Sequence, residues 1–309
     1  MALITRSLFG LALLATVSCR REPDRAGEPT LISPPATTSA IALRASLLTD
    51  RPYRVVAPAG DKGPAPLVLV LHGYGGNGAS LDDLLHLTDV ASENGIFLAV
   101  PDGSQDAHGA RFWNATDACC NFYGSTVDDV AYLAAIIADM KAKHSIDSKR
   151  VFVVGFSNGG FMAHRLACEL SPEIAAIATL GAMSFKDDSR CHATEPVAVL
   201  EMNGDADRII LIDGGLPGGS LPYASPYPSA GASIQGWASR NKCSSRTEPP
   251  PIDVARDLPG SETTVERWTG CAPGGAAELW TIHGAPHIPR LSATWSSLVL
   301  QFLASHPKP

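Results

Sequence analysis

Short, fully apolar runs alternate along this chain with segments of helical periodicity, and this alternation restricts the fold more than any other feature. Residues 66–71 (PLVLVL) and 151–154 (VFVV) are apolar at odd and even positions alike, as expected for strands buried on both faces of a parallel sheet. Helical spacing is present at 127–144 and 158–170. Alternating strands and helices imply right-handed crossovers, so the sequence predicts an α/β fold with a mostly parallel sheet and helices on both faces.

The same patterns continue through the rest of the chain. Further strands are predicted at 96–100, 174–180, 197–202 and 278–282, and further helices at 81–93 and 291–304. A Gly- and Pro-rich stretch at 213–228 interrupts the alternation. It is predicted to form a long loop near the functional site, because functional loops concentrate on such rigid scaffolds.

Composition narrows the class of protein. A chain of 309 residues with 45% apolar composition can bury one large core, and one catalytic domain over 46–309 is the favoured organisation. Charged residues make up 18% of the chain and the formal net charge is -7, which argues against nucleic acid as a partner.

The amino terminus has the pattern of an export signal, which we assign to residues 1–19. Arg6 precedes an apolar run at 8–17, and a charged start before a short apolar stretch is typical of a signal peptide. The run ends at Cys19, so either Cys19 is acylated, as in bacterial lipoproteins, or ordinary cleavage occurs nearby. The protein is expected to be secreted or held in the cell envelope, with membrane contact only through a lipid at Cys19.

The segment that follows the export signal differs in composition from the rest of the chain. Residues 20–45 are rich in Arg, Pro, Glu, Ser and Thr. They are predicted to form a disordered tether, because such a segment cannot bury enough apolar surface to become ordered.

The cysteine count agrees with export. The chain has seven cysteines, and removal or acylation of Cys19 leaves an even set. An oxidising compartment favours disulfides over metal ligation, although the sequence alone leaves 15 connectivities open. The remaining cysteines are Cys119, Cys120, Cys168, Cys191, Cys243 and Cys271.

The strongest chemical signal is the sequence Gly-Phe-Ser-Asn-Gly at 155–159. It fits the G-x-S-x-G pattern, follows a predicted strand and opens a predicted helix. That context is typical of the nucleophile elbow of α/β-hydrolases, in which a strained turn exposes the serine hydroxyl. Ser157 is therefore the predicted nucleophile. The alternative is a glycine-rich turn in which Ser157 only caps the helix.

A serine nucleophile needs a histidine base that accepts its proton. In this fold the catalytic residues occur in the order serine, acid, histidine, so the histidine must follow the last strand. His283, His287 and His306 satisfy this order. His287 is favoured, because it lies in the loop beyond the strand, whereas His283 directly follows the strand and His306 belongs to the carboxyl-terminal tail.

The acid is expected at the carboxyl end of the strand at 197–202, because active residues collect at that edge of a parallel sheet. Asp207 ranks first, ahead of Asp205 and Asp213. An Asp in such a turn also fits a purely structural role, in which its side chain bonds to its own backbone.

The tetrahedral intermediate of acyl transfer carries an oxyanion that requires N–H donors. The backbone N–H of Asn158, directly after the nucleophile, is the first predicted donor. The second is predicted from Tyr74 in the loop at 72–76, His-Gly-Tyr-Gly-Gly. The alternative is that these glycines only make a turn.

Several short motifs between residues 51 and 303 together resemble one known family. They are Leu-His-Gly at 71–73, Val-Pro-Asp-Gly at 100–103, Trp-Asn at 113–114 before Cys-Cys at 119–120, Val-Asp-Asp-Val at 127–130, Gly-Phe-Ser-Asn-Gly-Gly at 155–160, Arg-Leu-Ala-Cys-Glu at 165–169 and the segment 237–243. In combination they resemble the extracellular polyhydroxyalkanoate depolymerase and feruloyl esterase family of α/β-hydrolases.

The resemblance implies roles for the same residues that the motif analysis ranks first. By it, Ser157, Asp207 and His287 form the triad, and Tyr74 lends an oxyanion N–H. The resemblance also implies disulfides, namely Cys168 with Cys191, Cys243 with Cys271 and the adjacent Cys119 with Cys120.

The activity implied is that of a secreted serine ester hydrolase, acting through an acyl-enzyme on short-chain or hydroxyalkanoate esters, including polyesters. The alternative is a feruloyl or acetyl xylan esterase acting on plant polysaccharide esters. A peptidase of the same fold and a non-catalytic binding protein are weaker alternatives. No metal or organic cofactor is expected.

The chain departs from this family at two positions. Family members commonly follow the catalytic histidine with Trp-Pro, whereas this chain has Ile288 and Pro289. Asn203 stands where a histidine often precedes the turn glycine. An aliphatic wall beside His287 favours compact acyl groups over aromatic ones.

Overall fold

The computed structural model describes residues 36–60, 63–218 and 224–309. The strands of its main sheet are β1 (Arg54–Val56), β2 (Ala65–Leu71), β3 (Phe97–Val100), β6 (Ile146–Phe156), β7 (Ala176–Leu180), β8 (Ala198–Gly204), β9 (Ser245–Thr247), β10 (Thr263–Thr269) and β11 (Ala276–Ile282), while β4 (Ser104–Gln105) and β5 (Arg111–Phe112) form a separate hairpin. The helices are α1 (Ala36–Asp50), α2 (Gly78–Leu85), α3 (Leu87–Glu93), α4 (Asp129–Lys143), α5 (Asn158–Glu169), α6 (Ala230–Arg240) and α7 (Ala293–Ala304).

The main sheet has a parallel centre and antiparallel edges. Its strand order is β1-β3-β2-β6-β7-β8-β11-β10-β9. Every neighbouring pair from β3 to β11 is parallel, and β1, β10 and β9 pair antiparallel at the two edges. The predicted α/β-hydrolase architecture is therefore confirmed.

Two apolar cores lie on opposite faces of this sheet. Leu67 and Leu69 of β2 belong to the core that contains side chains of α4, α5 and α6. Val68 and Val70 belong to the core formed with α2, α3 and α7. Alternate residues of one strand enter different cores, which explains why the central strands are apolar at every position.

The differences from prediction lie at the edges and in one helix. Strand β10 alternates buried and exposed residues, so no continuous apolar run marks it, and β1 and β9 each contain only three residues. The predicted helix at 81–93 is wrong as a single helix, because His86 adopts a left-handed conformation with φ of 50°. The backbone N–H of His86 donates to the Asp82 carbonyl and ends α2.

The amino-terminal prediction is only partly covered by the structure. The export signal at 1–19, including Cys19, lies outside the described residues, as does the tether up to residue 35. Residues 36–45, which the tether prediction includes, form the first part of α1 in the structure. No proline interrupts the chain between Pro35 and Pro52, and Leu47 and Leu48 near the end of α1 pack against the apolar core.

The three disulfides implied by the family resemblance are present. Cys168 at the end of α5 is bonded to Cys191, and Cys243 after α6 is bonded to Cys271. The adjacent Cys119 and Cys120 are bonded to each other. Within the ranges that the structure describes, no helix has both the length and the apolar character needed to span a bilayer.

A buried ion pair connects the end of α1 to the start of α4. The Arg51 guanidinium donates to Asp129 Oδ1 at 2.6 Å, and Asp129 has no exposed surface. Asp129 Oδ2 accepts the backbone N–H of Asn114 at 2.6 Å, and Arg51 also stacks over the Tyr132 ring at 3.8 Å. Asp129 therefore holds the loop that follows β5 against the body of the fold.

Replacing Asp129 tests this anchor. Asp129→Ala leaves the Arg51 charge without its partner, and breaking a buried pair in this way costs about 3–5 kcal/mol of unfolding free energy. The neighbouring Asp128 is the matched control, since its exposed carboxylate only caps α4 through the Ala131 N–H. Asp128→Ala should cost about 1 kcal/mol. Urea unfolding measures both, and equal losses would contradict the anchor.

Candidate active site

A sharp turn at Ser157 joins the central strand β6 to helix α5. Ser157 has φ of 51° and ψ of -120°, a conformation that a non-glycine residue adopts only under strain. Its backbone N–H donates to the Leu180 carbonyl at 2.8 Å, which ties the turn to β7. The Ser157 hydroxyl makes no capping hydrogen bond to α5, so the helix-cap alternative does not describe this residue.

Two glycines make this turn sterically feasible. A Cβ atom on Gly155 would collide with the carbonyl of Gly159, and one on Gly159 would collide with the carbonyl of Leu71 in β2. The backbone of α5 therefore approaches both β6 and β2 more closely than any side chain would allow. This contact explains the physical need for glycine on each side of Ser157.

The structure brings together three of the predicted residues in a continuous relay. His287 Nε2 lies 3.0 Å from Ser157 Oγ, and His287 Nδ1 lies 2.6 Å from Asp207 Oδ2. Asp207 follows β8 and His287 follows β11, so these two side chains and Ser157 converge at the carboxyl edge of the parallel strands.

The Asp207 carboxylate sets the direction of the relay. Its second oxygen, Oδ1, accepts the backbone N–H groups of Ile209 at 2.7 Å and Ile210 at 2.9 Å, which fixes the carboxylate plane. Because Asp207 can only accept, His287 Nδ1 carries the proton of the neutral ring. His287 Nε2 is then free to accept the proton of the Ser157 hydroxyl.

The lower-ranked candidates form a separate pair. His283 Nδ1 lies 2.8 Å from Asp205 Oδ2, and His283 Nε2 lies 3.1 Å from Thr264 Oγ1, so both ring nitrogens are engaged away from Ser157. Asp205 also accepts the Gly284 N–H at 2.6 Å, which braces the loop that carries His287. His306 packs against Phe302 in the terminal helix, and Asp213 is exposed.

The two predicted oxyanion donors flank Ser157. Asn158 directly follows it, and the Tyr74 loop lies beside it, since a Cβ on Gly73 would be 3.3 Å from Ser157 Cβ. In the described part of the chain, the backbone N–H groups of Tyr74 and Asn158 have no hydrogen-bond acceptor. Both groups are therefore available to a bound molecule.

The Tyr74 side chain faces away from this chemistry. Its hydroxyl donates to the Asp106 carboxylate, and its ring packs edge-on against Phe122 at 5.3 Å. Burial and the hydrogen bond to Asp106 raise the pKa of Tyr74 above its ordinary value, so the hydroxyl stays protonated. Only the backbone of Tyr74 is thus placed to bind an oxyanion.

Exposed apolar side chains lie on the loops that carry the relay. Ile288, next to His287, is 61% exposed, and Ile209 and Leu211, just after Asp207, are 47% and 44% exposed. Leu211 N–H donates to the Tyr227 hydroxyl at 2.7 Å, which holds the start of the predicted long loop to its end. Residues 219–223 of that loop lie outside the described residues.

A buried acid and a buried histidine behind the nucleophile helix were not predicted. His164 of α5 accepts the Trp237 indole N–H at Nδ1 (3.1 Å), so its own proton lies on Nε2, 3.6 Å from Glu201 Oε2. Burial raises the pKa of Glu201 well above its ordinary value and lowers the pKa of His164 to about 3. Burial therefore favours the uncharged form of both groups, and the Ser233 hydroxyl donates to Glu201 at 2.6 Å.

The described ranges hold no group of three His, Cys, Asp or Glu side chains arranged to bind a metal ion. An activated hydroxyl beside two free N–H donors is suited to attack on an acyl carbonyl.

Comparison with known proteins places this chain among esterases. The model of the family described as esterase PHB depolymerase matches residues 53–231. Feruloyl esterase B of Piromyces equi is 29% identical over 233 residues, which cover 74% of this chain and 40% of that protein. Feruloyl esterase C of Emericella nidulans is 29% identical over 179 residues, covering 55% of this chain and 59% of that protein.

The chain thus spans less than two thirds of the length of each of these two relatives. Among solved structures, acetyl xylan esterase from Aspergillus awamori superposes with a TM-score of 0.57 over 80% of this chain and 93% of its own, at 13% identity. At that identity the likeness concerns the fold.

Labelling with a fluorophosphonate probe tests the relay. The probe should modify Ser157, and His287→Ala should slow labelling at least about a hundredfold, because the hydroxyl loses its base. His283→Ala is the matched control and should label at close to the wild-type rate. The opposite ranking of the two variants would show that the relay is assigned to the wrong histidine.

The neutral state of Glu201 gives a pH prediction. A carboxyl whose pKa is raised by folding contributes stability that is full below its unfolded pKa and is lost as pH rises toward the folded pKa. Glu201→Gln removes this dependence and leaves His164 in place. The unfolding free energy of the wild type minus that of the variant should therefore fall between pH 5 and pH 8, by at most about 1.4 kcal/mol per pH unit. A difference that stays constant would mean that Glu201 is ionised throughout.

Proposed function

This chain belongs to the PHB depolymerase family of esterases, and from that premise we propose that it is a serine carboxylic ester hydrolase that works through an acyl-enzyme. The observation that carries the proposal is the hydrogen-bonded relay from Ser157 through His287 to Asp207. Its direction, with a proton on His287 Nδ1 and a free Nε2, is the one that nucleophilic attack requires.

In the first half of the reaction, Ser157 Oγ attacks the ester carbonyl carbon and its proton moves to His287 Nε2. Asp207 stabilises the imidazolium that forms. The carbonyl oxygen becomes an oxyanion, which accepts the backbone N–H groups of Tyr74 and Asn158. When the tetrahedral intermediate collapses, the bond to the leaving oxygen breaks and His287 returns its proton to that oxygen. The alcohol departs and the acyl group stays on Ser157.

In the second half, water replaces the alcohol. His287 Nε2 accepts a proton from the water, whose oxygen attacks the acyl carbon through a second oxyanion at the same two donors. Collapse of this intermediate breaks the bond to Ser157 Oγ, and His287 protonates that oxygen. The products are a carboxylic acid and the free enzyme.

The favoured substrates are short-chain and hydroxyalkanoate esters, including polyesters. Ile288 beside His287 and Ile209 beside Asp207 offer exposed aliphatic contacts, and neither side chain stacks on an aromatic ring as Trp does. Feruloyl or acetyl xylan esters are the second candidate, because the relatives described above are named feruloyl esterases. A peptidase and a non-catalytic role have no observation in their favour.

We place this activity outside the cytoplasm, in the secreted fraction or at the cell envelope. The export pattern at 1–19 and the three disulfides support this location. Cys19 offers a lipid attachment point as the alternative to ordinary cleavage.

A substrate panel tests the proposal. Values of kcat/KM for methyl butyrate, methyl ferulate and a 3-hydroxybutyrate oligomer should rank the butyrate ester above the ferulate. Because one pocket side chain discriminates by about 1–3 kcal/mol, the ratio should be about tenfold or more. Ser157→Ala is the control and should remove nearly all turnover. A kcat/KM at least about tenfold higher for methyl ferulate would contradict the preference for compact acyl groups and would favour the feruloyl esterase alternative.

A further inference from the structure

Both polar atoms of the Asn158 side chain are hydrogen-bonded to one neighbouring residue. Its Oδ1 accepts the backbone N–H of Trp113 at 2.7 Å, and its Nδ2 donates to the backbone carbonyl of Trp113 at 3.0 Å. Asn158 is completely buried. A two-point contact of this kind fixes both the position and the orientation of the amide. It thereby also restrains the backbone N–H of Asn158, which is one of the two proposed oxyanion donors.

The indole of Trp113 reaches the other donor loop. Its Nε1–H donates to the His72 carbonyl at 2.9 Å, and the two rings pack at 5.1 Å. His72 lies two residues before Tyr74. On the other side of Tyr74, the Gly75 N–H donates to the carbonyl of Arg111 at 2.8 Å. The segment 111–113 therefore holds the Tyr74 loop from both sides.

His72 adds a third restraint to the same loop. Its Nε2 accepts the Gly103 N–H at 2.9 Å, and its Nδ1 donates to the Gly73 carbonyl at 2.7 Å. Burial lowers the pKa of His72, so the ring stays neutral and holds both bonds at once. The carbonyl that Trp113 contacts thus belongs to a residue that is itself immobilised.

Trp113 is well anchored. It is fully buried, and the next residue, Asn114, donates its backbone N–H to Asp129 at 2.6 Å. Asp129 is held in turn by Arg51. The position of Trp113 is therefore restrained by the body of the fold in addition to the two segments that it contacts.

We propose that Trp113 is a positioning residue that sets the separation of the two oxyanion donors, the backbone N–H groups of Tyr74 and Asn158. The proposal rests on the proposed ester hydrolase function. An oxyanion hole is effective because its donors are already in place before charge develops. Trp113 is the residue that contacts both donor-bearing segments, through its backbone on one side and its indole on the other.

Removal of the indole N–H tests this assignment. Trp113→Phe keeps a large buried ring and the backbone contacts to Asn158, but it loses the hydrogen bond to His72. Displaced donors weaken transition-state binding more than substrate binding. We expect kcat for an aryl ester to fall about tenfold to a hundredfold, with KM changed less than about twofold. The inhibition constant of a trifluoromethyl ketone transition-state analogue should rise in step with the loss of kcat/KM.

Trp237→Phe is the matched control. Trp237 is also fully buried, and its indole N–H donates at 3.1 Å to the side chain of His164, which lies in α5 beyond Asn158 and is not one of the two donors. The control should lose thermal stability to a similar degree but keep kcat within about threefold.

Asn158→Ala is a second test, because it removes both contacts to Trp113 and retains its own backbone N–H. It should lower kcat as Trp113→Phe does, and the double variant should lose little more than either single one.

The outcomes separate the positioning role from the ester hydrolase function. If Trp113→Phe and Asn158→Ala keep the wild-type kcat, or if only KM rises, the positioning role is wrong. The proposed ester hydrolase function is not affected by that result. If Trp237→Phe loses as much kcat as Trp113→Phe, Trp113 has only a structural role. A wild-type protein with no ester turnover and no labelling at Ser157 would overturn both proposals.

Discussion

The arrangement of this active site depends on the close approach of helix α5 to strands β6 and β2 at the Ser157 turn. Gly155 and Gly159 have no side chains, so the turn can fold tightly and hold Ser157 at positive φ. The strained turn brings the Ser157 hydroxyl to His287, and in the described part of the chain the Asn158 backbone N–H has no acceptor. The proposed nucleophile and the first proposed oxyanion donor thus both depend on one backbone constraint.

Asp207 and His287 lie near Ser157 because the parallel strands that precede them end at the same edge of the sheet. β8 and β11 are neighbours, and the turns after them carry Asp207 and His287. The same two turns also carry Asp205 and His283, which bond to each other and brace the His287 loop. One pair orients the base of the relay, while the other shapes the loop on which that base lies.

Sequence reasoning could predict what has a periodic or motif signature. The buried parallel strands and the elbow at Ser157 have one. Strand β10 has no continuous apolar run, and helix α1 packs against α4, which is distant in sequence. Asp207 and Asp205 occupy the same turn, so only their hydrogen-bond partners separate them. Trp113 was recognised as part of a family motif, but no pattern in the sequence shows that its indole reaches the His72 carbonyl.

The central claim is that Ser157 becomes acylated during turnover, and acid-quenched mass spectrometry tests it most directly. The protein is mixed with excess 4-nitrophenyl butyrate, quenched within the first turnovers and digested. The account predicts a butyryl group on the peptide that contains Ser157, formed as rapidly as nitrophenol is released and absent from Ser157→Ala. Ester hydrolysis without any covalent adduct, or with the adduct on another residue, would contradict it.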